Sequence, residues 1–348
     1  MGRWQEVNPL IFTPFSLRGS NMLEFTLIEG GILALGAMIA GLILLVKGGD
    51  WTIESAVYLA KHWGVSPMVI GFTIVGFGTS LPELVVSVIA NFQGSPGIAL
   101  GNVVGSNIAN ILMILATVAI ISTVTARPAN GMFRDLVMMI AATVLLLVLL
   151  QYGEIGRMAG LVMVLILAGY VFWQYRKASV AEDEADSHPP AFGSKGSAYM
   201  FLLAGLICVA IGAEFLVRGS KVGAGIIGVP EAIIGLSIIA LGTSLPELTT
   251  SIIAARKGHS DIILGNIIGS NVFNVLGIIG LTAVLKPIER GSFEPQIASF
   301  DIWVALVVAL VFSLLLVVYK KVDRPVGLVF CTAYLAYNIY IYAANMGS

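Results

Sequence analysis

GFTIVGFGTSLPELVVSVIANFQGSPGIALGNVVGSNIAN, residues 71–110, comes back 164 positions later as GLSIIALGTSLPELTTSIIAARKGHSDIILGNIIGSNVFN, residues 235–274. The two stretches align without a gap, and 21 of the 40 positions are identical. The same offset continues upstream, pairing Gly48 with Gly212, Asp50 with Glu214 and Gly64 with Gly228. Duplication of this length makes each copy one structural unit, so the fold has to be read as two related halves.

Composition puts those halves in lipid. Of the 348 residues, 57% are hydrophobic and only 11% charged, whereas soluble domains carry about 25% charged residues. A net charge of −1 excludes a nucleic-acid partner, which needs a basic footprint. Cys208 and Cys331 lie inside apolar runs and read as small packing residues. The three histidines fall at segment ends or in a loop, which is no metal cluster. The first 20 or so residues lack the pattern of a signal peptide.

A helix needs about 20 apolar residues to cross the hydrocarbon. Ten stretches qualify, near 28–47, 66–91, 97–122, 132–151, 157–175, 198–218, 230–255, 261–286, 299–319 and 326–345. One charged, Pro-Pro-containing interruption, Arg176 to Ser197, divides them five and five. Five is odd, so the second copy must run through the membrane upside down. The expected fold is an all-α membrane protein of ten transmembrane helices in two inverted-topology five-helix repeats. Residues 1–27 form an N-terminal extension, 28–175 the first repeat, 176–197 a cytoplasmic hydrophilic loop and 198–348 the second repeat. With that loop inside, 12 Lys and Arg residues fall on the cytoplasmic side and 7 outside. The bias predicts a multi-pass protein of the cell membrane with both termini extracellular. A monomer in the lipid bilayer is expected.

The chemistry sits in GTSLPE, Gly78–Glu83 and Gly242–Glu247. A proline inside a helix frees the carbonyl four residues back, so Pro82 and Pro246 are expected to release the Gly78 and Gly242 carbonyls and to splay those of Thr79 and Thr243. Unwound backbone at membrane depth survives only in protein interior or along a watery cavity. An ionised carboxylate at mid-membrane costs about 2.5–3.5 kcal/mol on insertion scales, and no basic residue in these stretches offsets Glu83 or Glu247. A doubly charged cation would, and calcium prefers carboxylate and carbonyl oxygens.

Polar residues repeat every four positions beside the glutamates: Thr79, Glu83 and Ser87, matched by Thr243, Glu247 and Ser251. The next span carries Asn102, Ser106 and Asn110, matched by Asn266, Ser270 and Asn274. Two readings stay open for Ser87, Ser251, Asn102 and Asn266, namely ion ligation and plain interhelical hydrogen bonding. Gly101, Gly105, Gly265 and Gly269 are read as packing residues. Asp50, Glu54 and Glu214 near span ends are read as solvated or capping groups in preference to an ion-entry role.

Two inverted copies of GTSLPE followed by GNxxGSN resemble the alpha repeats of the calcium/cation antiporter superfamily, in its sodium/calcium exchanger branch. The resemblance covers about residues 28–345. It implies an antiporter rather than an enzyme, with no cofactor and with calcium and sodium ions as partners. By motif position it implies calcium ligation by the Glu83 and Glu247 carboxylates and the Thr79 and Thr243 carbonyls. It implies sodium ligation by Ser80, Ser244, Ser106 and Ser270 and by the backbone at Gly76 and Ala240, with Asn110 and Asn274 completing the ring. Several prokaryotic and all potassium-dependent relatives carry Asp where this chain has Asn274, so the resemblance implies potassium independence. The branch exchanges three sodium ions for one calcium, which implies an electrogenic cycle.

A proton/calcium antiporter of the same fold is the alternative reading. The proton-coupled branch places an acidic residue where this chain has GSNIAN and GSNVFN, which weighs against it. An intramembrane protease lacks its aspartate motifs here, and a passive channel has no use for two access states.

Overall fold

A computed structural model describes residues 20–126, 131–177, 194–226 and 242–346. Most of the hydrophilic stretch expected at 176–197 and the candidate residue Ala240 lie outside those residues. The described chain is nearly all helix, because lipid offers no partners to backbone N–H and C=O groups and a helix satisfies them internally.

The helices in order are α1 (Ser20–Trp63), α2 (Pro67–Thr79), α3 (Leu81–Phe92), α4 (Pro96–Ile121), α5 (Met132–Tyr152) and α6 (Arg157–Lys177). Then follow α7 (Lys195–Ile226), α8 (Leu245–Arg256), α9 (Ser260–Leu285), α10 (Ile297–Tyr319) and α11 (Arg324–Met346). Among the described residues, seven helices are long and apolar enough to cross a bilayer, and α2 with α3, bent by 44° at their junction, makes up to an eighth.

α1 is longer than the apolar run suggests. Its 44 residues extend about 66 Å at 1.5 Å per residue, against a hydrocarbon thickness of about 30 Å. It packs against α7 in an antiparallel seam of small residues. A Cβ on Gly41 would lie 2.7 Å from the Gly212 carbonyl oxygen, one on Gly48 2.7 Å from that of Gly205, and one on Gly219 2.7 Å from that of Ala34. No side chain fits at these points, so the two backbones touch.

α9 sits at the centre, with every residue from Ile262 to Leu276 buried. Gly265 and Gly269 let it lie directly on α2, where an added Cβ would come within 2.3 Å of the Met68 carbonyl oxygen or 2.2 Å of that of Phe72. Outward faces of α5, α6 and α10 keep large apolar side chains exposed, among them Phe133, Leu165, Val307 and Leu314, as lipid contact requires. Two short backbone ties close the ends. Strand β1 (Val124–Thr125) pairs antiparallel with β2 (Lys321–Val322), and Ile155 bridges to Ile288.

Wider, π-helical turns interrupt four spans: Gly71–Val75 in α2, Asn110–Leu115 in α4, Phe273–Ile279 in α9 and Ile297–Asp301 in α10. Such turns concentrate at functional sites. Two of the four fall on Asn110 and Asn274.

Candidate cation site

Both GTSLPE motifs break the helix the same way. Ser80 has φ −85° and ψ 5°, and Ser244 has φ −89° and ψ 3°. Pro82 and Pro246 fall in the first turn of the helix that follows, where a missing N–H leaves no bond unmade. The sequence reading of a proline in a helix interior is therefore corrected: the break comes at the serine, and the proline starts the next helix. Thr79 accordingly ends α2 while Glu83 and Ser87 belong to α3, so the three do not share one continuous face. The motif glycines make room for α7, since a Cβ on Gly78 would strike Leu206 at 2.7 Å and one on Gly242 would strike Val217 at 2.4 Å.

Glu83 and Glu247 stand in the first turns of α3 and α8, where the helix dipole favours a negative charge. Their relative exposures are 1% and 2%. The Ser80 hydroxyl, three residues before Glu83, donates to Glu247 Oε1 at 3.1 Å, which joins the two copies at the site. Glu83 Oε2, Glu247 Oε2 and Asn274 Oδ1 are buried without a hydrogen-bond partner. Buried acceptors are almost always satisfied, so three free ones on these residues are groups that a positive ligand would satisfy. Among the described residues, no Lys or Arg pairs with either glutamate.

The other candidates gather unevenly around this pair. Thr79 is buried, and its hydroxyl donates to the Val75 carbonyl at 3.0 Å and to Asn266 Oδ1 at 3.4 Å. Ser270 donates to the Gly76 carbonyl at 3.3 Å, so the broken end of α2 meets α9 directly. Ser106 and Ser244 are buried, while Thr243 is only half-buried. Asn102 and Asn266 both make interhelical bonds through their NH2 ends. Asn102 Nδ2 donates to Ser87 Oγ at 3.0 Å and to the Glu83 carbonyl at 3.2 Å, and Asn266 Nδ2 donates to Ser251 Oγ at 3.2 Å.

Asn110 and Asn274 are buried and joined to two residues that the sequence reading did not single out, Asn107 and Asn271. Asn110 Nδ2 donates to Asn271 Oδ1 at 2.8 Å, and Asn274 Nδ2 donates to Asn107 Oδ1 at 3.0 Å. The available signal was their identity at the 164-residue offset inside GSN. A second omission is Asp135, wholly buried in the first turn of α5. Its Oδ1 accepts from Tyr170, from Gln174 at 3.1 Å and from Arg134 at 3.0 Å. Asp301 in α10 repeats part of the theme, accepting from Tyr337 of α11 at 3.1 Å.

Asp50 and Glu54 of α1 are not simply solvated. Both pair with Lys257 at the end of α8, at 3.1 and 2.6 Å. Glu214 pairs within its own helix with Arg218, four residues on. Cys208 and Cys331 are free and half-buried.

Comparison with known proteins agrees with this arrangement. The model of the family described as sodium/calcium exchanger protein matches residues 33–176 and 197–343. Sodium/calcium exchanger MaX1 of Methanosarcina acetivorans is 30% identical over 349 aligned positions, covering 88% of this chain and 97% of that protein. Inner membrane protein YrbG of Escherichia coli K12 is 32% identical, with 89% and 97% covered. A solved structure of the sodium-calcium exchanger NCX_Mj, soaked with zero Na+ and Ca2+, superposes with a TM-score of 0.77 at 29% identity, covering 89% of this chain and 99% of that one. A buried carboxylate pair at the meeting point of two repeats and a family match across both of them converge on one assignment: the chain is a member of the sodium/calcium exchanger family, a family of membrane transporters.

Proposed function

We propose that the protein is a secondary active antiporter that exchanges sodium for calcium across the membrane by alternating access. The observation that carries this reading is the pair Glu83 and Glu247, both buried with one unpartnered oxygen each, as Asn274 is with its Oδ1. Carboxylate, amide, hydroxyl and carbonyl oxygens are the donors that hard cations take. The calcium set on this reading is the two glutamates with the Thr79 and Thr243 carbonyls. Sodium takes Ser80, Ser244, Ser106, Ser270, Gly76 and Ala240 in addition, and Asn110 and Asn274 close the ring. No cofactor is involved, since the bound ions are the cargo.

Charge explains the coupling. Two buried carboxylates without a counter-ion are costly in a low dielectric, so an empty site resists conversion between access states and a loaded one does not. One Ca2+ brings the sum to zero. Three Na+ leave +1, so the cycle moves charge. With asparagine at both 110 and 274 the site holds only two formal negative charges, which suits operation without potassium.

The architecture on this reading is ten transmembrane helices in two inverted repeats, 28–175 and 198–348, with the 176–197 loop in the cytoplasm and both termini outside. Support comes from antiparallel register between equivalent segments. Residues 34, 41 and 48 face 219, 212 and 205 along the α1–α7 seam, and Asn107 and Asn110 face Asn274 and Asn271. Inverted repeats put the site at the membrane midplane and let rocking about it open either side.

The test is uptake of radioactive calcium into proteoliposomes. An outward sodium gradient should drive it, without potassium, and an inside-positive potential should accelerate it, because three Na+ leaving for each entering Ca2+ carries one positive charge out. Uptake driven by a pH gradient in sodium-free buffer would instead support the proton-coupled alternative. Uptake indifferent to all gradients would remove exchange altogether.

A further inference from the structure

The amide of a ligand asparagine can present either its oxygen or its NH2 to an ion, and only the oxygen is useful to a cation. Which end faces the site is usually ambiguous, because the two ends look alike. Here the bonding pattern fixes it from backbone groups that cannot turn round. Asn107 Nδ2 donates to the Asn271 carbonyl at 3.2 Å, and Asn271 Nδ2 donates to the Asn107 carbonyl at 3.4 Å. Asn271 Nδ2 also reaches Met139 Sδ at 3.7 Å. A backbone carbonyl only accepts, so the NH2 ends of Asn107 and Asn271 are committed and their oxygens must point the other way. Those oxygens accept from Asn274 Nδ2 and Asn110 Nδ2, at 3.0 and 2.8 Å. The NH2 ends of Asn110 and Asn274 are thereby committed in turn, and Asn274 Oδ1 is left buried and free. All four residues are at most 6% exposed, so water does not compete for these bonds.

We infer that Asn107 and Asn271 are positioning residues: a reciprocal clasp across the two copies that turns the side-chain oxygens of Asn110 and Asn274 toward the ion and their NH2 groups away from it. The inference rests on the reading of Asn110 and Asn274 as ligands. The clasp gives the ion a fixed oxygen on each copy without adding a third negative charge. It also links the two orientations, because each clasp residue is anchored on its counterpart's backbone.

The experiment is a double-substitution cycle, read as half-saturating calcium in sodium-gradient-driven uptake and as direct calcium binding to the purified protein. Asn107→Ala should raise half-saturating calcium about tenfold or more, in the range seen when groups that orient metal ligands are removed, with a smaller change in maximal rate. Asn274→Ala should do the same. The double variant should match Asn274→Ala alone, because Asn107 acts through Asn274. Multiplied effects in the double variant, or an unchanged half-saturation in Asn107→Ala alongside a raised one in Asn274→Ala, would overturn the clasp while leaving the ligand reading standing. An unchanged Asn274→Ala would overturn the ligand reading and the clasp with it. The Asn271→Ala and Asn110→Ala cycle tests the same logic on the other copy and decides the matter if Asn107→Ala does not fold.

Discussion

α9 and α4 carry the same GNxxGSN face, yet they stand in different surroundings. On α9, Gly265, Asn266 and Gly269 are all buried against the broken helix α2. On α4 the equivalent Gly101 is exposed, and Asn102 and Gly105 are half-buried. The difference extends to the hydroxyls: Ser80 reaches Glu247, while among the described residues Ser244 makes no matching bond to Glu83. It extends to the ends as well, since Asp50 and Glu54 are held across helices by Lys257, whereas the corresponding residues Glu214 and Arg218 pair with each other. Residues that carry the chemistry are thus duplicated faithfully, and the packing around them is not. The proposed exchange cycle would need this combination, because the two copies would exchange packing environments while the candidate ligands between them stay the same.

The largest effect should respect the likeness of the copies. Glu83→Gln and Glu247→Gln should each abolish sodium-driven calcium uptake, by about 100-fold or more given the electrostatic weight of a buried carboxylate on a divalent ion, with an unaltered elution profile in detergent. Normal uptake in one variant alone would break the equivalence of the two copies.

The next effects should expose the unlikeness. Asp135 is fully buried and takes three donors on one oxygen, while Asp301 is 9% exposed and takes a bond from Tyr337. Asp135→Asn should therefore cost about 2–3 kcal/mol, discounted from the full buried-pair value because Arg134 remains a quarter exposed. Asp301→Asn should cost about 1 kcal/mol, since its bonds from Tyr337 and Gln296 are to neutral donors and an asparagine oxygen can still accept one of them. Thermal melts in detergent measure both, and equal losses would remove this asymmetry.

Glycine substitutions sharpen the contrast between α9 and α4. Gly265→Ala forces a methyl against the Met68 carbonyl oxygen at 2.3 Å and should cost about 1–3 kcal/mol, as overpacking does. At Gly101 the nearest atom among the described residues is Ile297 Cδ1 at 4.0 Å, so Gly101→Ala should leave the melt unchanged. If the face of α4 closes during the cycle as the face of α9 is closed now, Gly101→Ala should still slow transport. A variant that melts normally and transports at full rate would mean that this face stays open throughout.

Smallest is the effect at the ends. Lys257→Met should shift half-saturating calcium by a few-fold, because partly exposed ion pairs contribute up to about 1 kcal/mol each, and should reduce its dependence on salt. Arg218→Met, which breaks a pair within one exposed helix, should shift nothing. A shift in the second variant of the same size as in the first would show that Lys257 does not hold α1 against α8.

Much of the site was legible in the sequence because lipid makes charge conspicuous. Glu83 and Glu247 stand out by their cost in apolar surroundings and by the repeat that doubles them. Asn107 and Asn271 do not, because the four-residue stripe of Asn102, Ser106 and Asn110 passes beside them, and their role depends on a partner helix from the other copy. Asp135 stands next to Arg134 at the start of an apolar span, and nothing local tells a buried carboxylate there from a solvated one. The fold shows the same division. Apolar runs announce most of the spans, but the polar stretch Lys47–Glu54 reads as the end of a helix. α1 continues through it because Thr52 and Ser55 are buried and Lys257 neutralises Asp50 and Glu54, neither of which a local reading contains. The break at Ser80 was expected from Pro82, and its position was wrong by two residues because proline is as comfortable opening a helix as it is disruptive inside one.

The α1–α7 seam has a mechanical meaning. Backbone touches backbone every seven residues, at Ala34, Gly41 and Gly48 on one side and Gly205, Gly212 and Gly219 on the other. At Gly41, Gly48, Gly205 and Gly212 the facing backbone leaves little room to absorb a displacement, while Met38 packs on Gly219. The pair is therefore built as a stiff beam, longer than the hydrocarbon layer is thick. Leu206 and Val217, which lean on the two motif glycines, ride on that beam eleven residues apart, so on the proposed exchange cycle any tilt of the beam would be felt at both GTSLPE motifs.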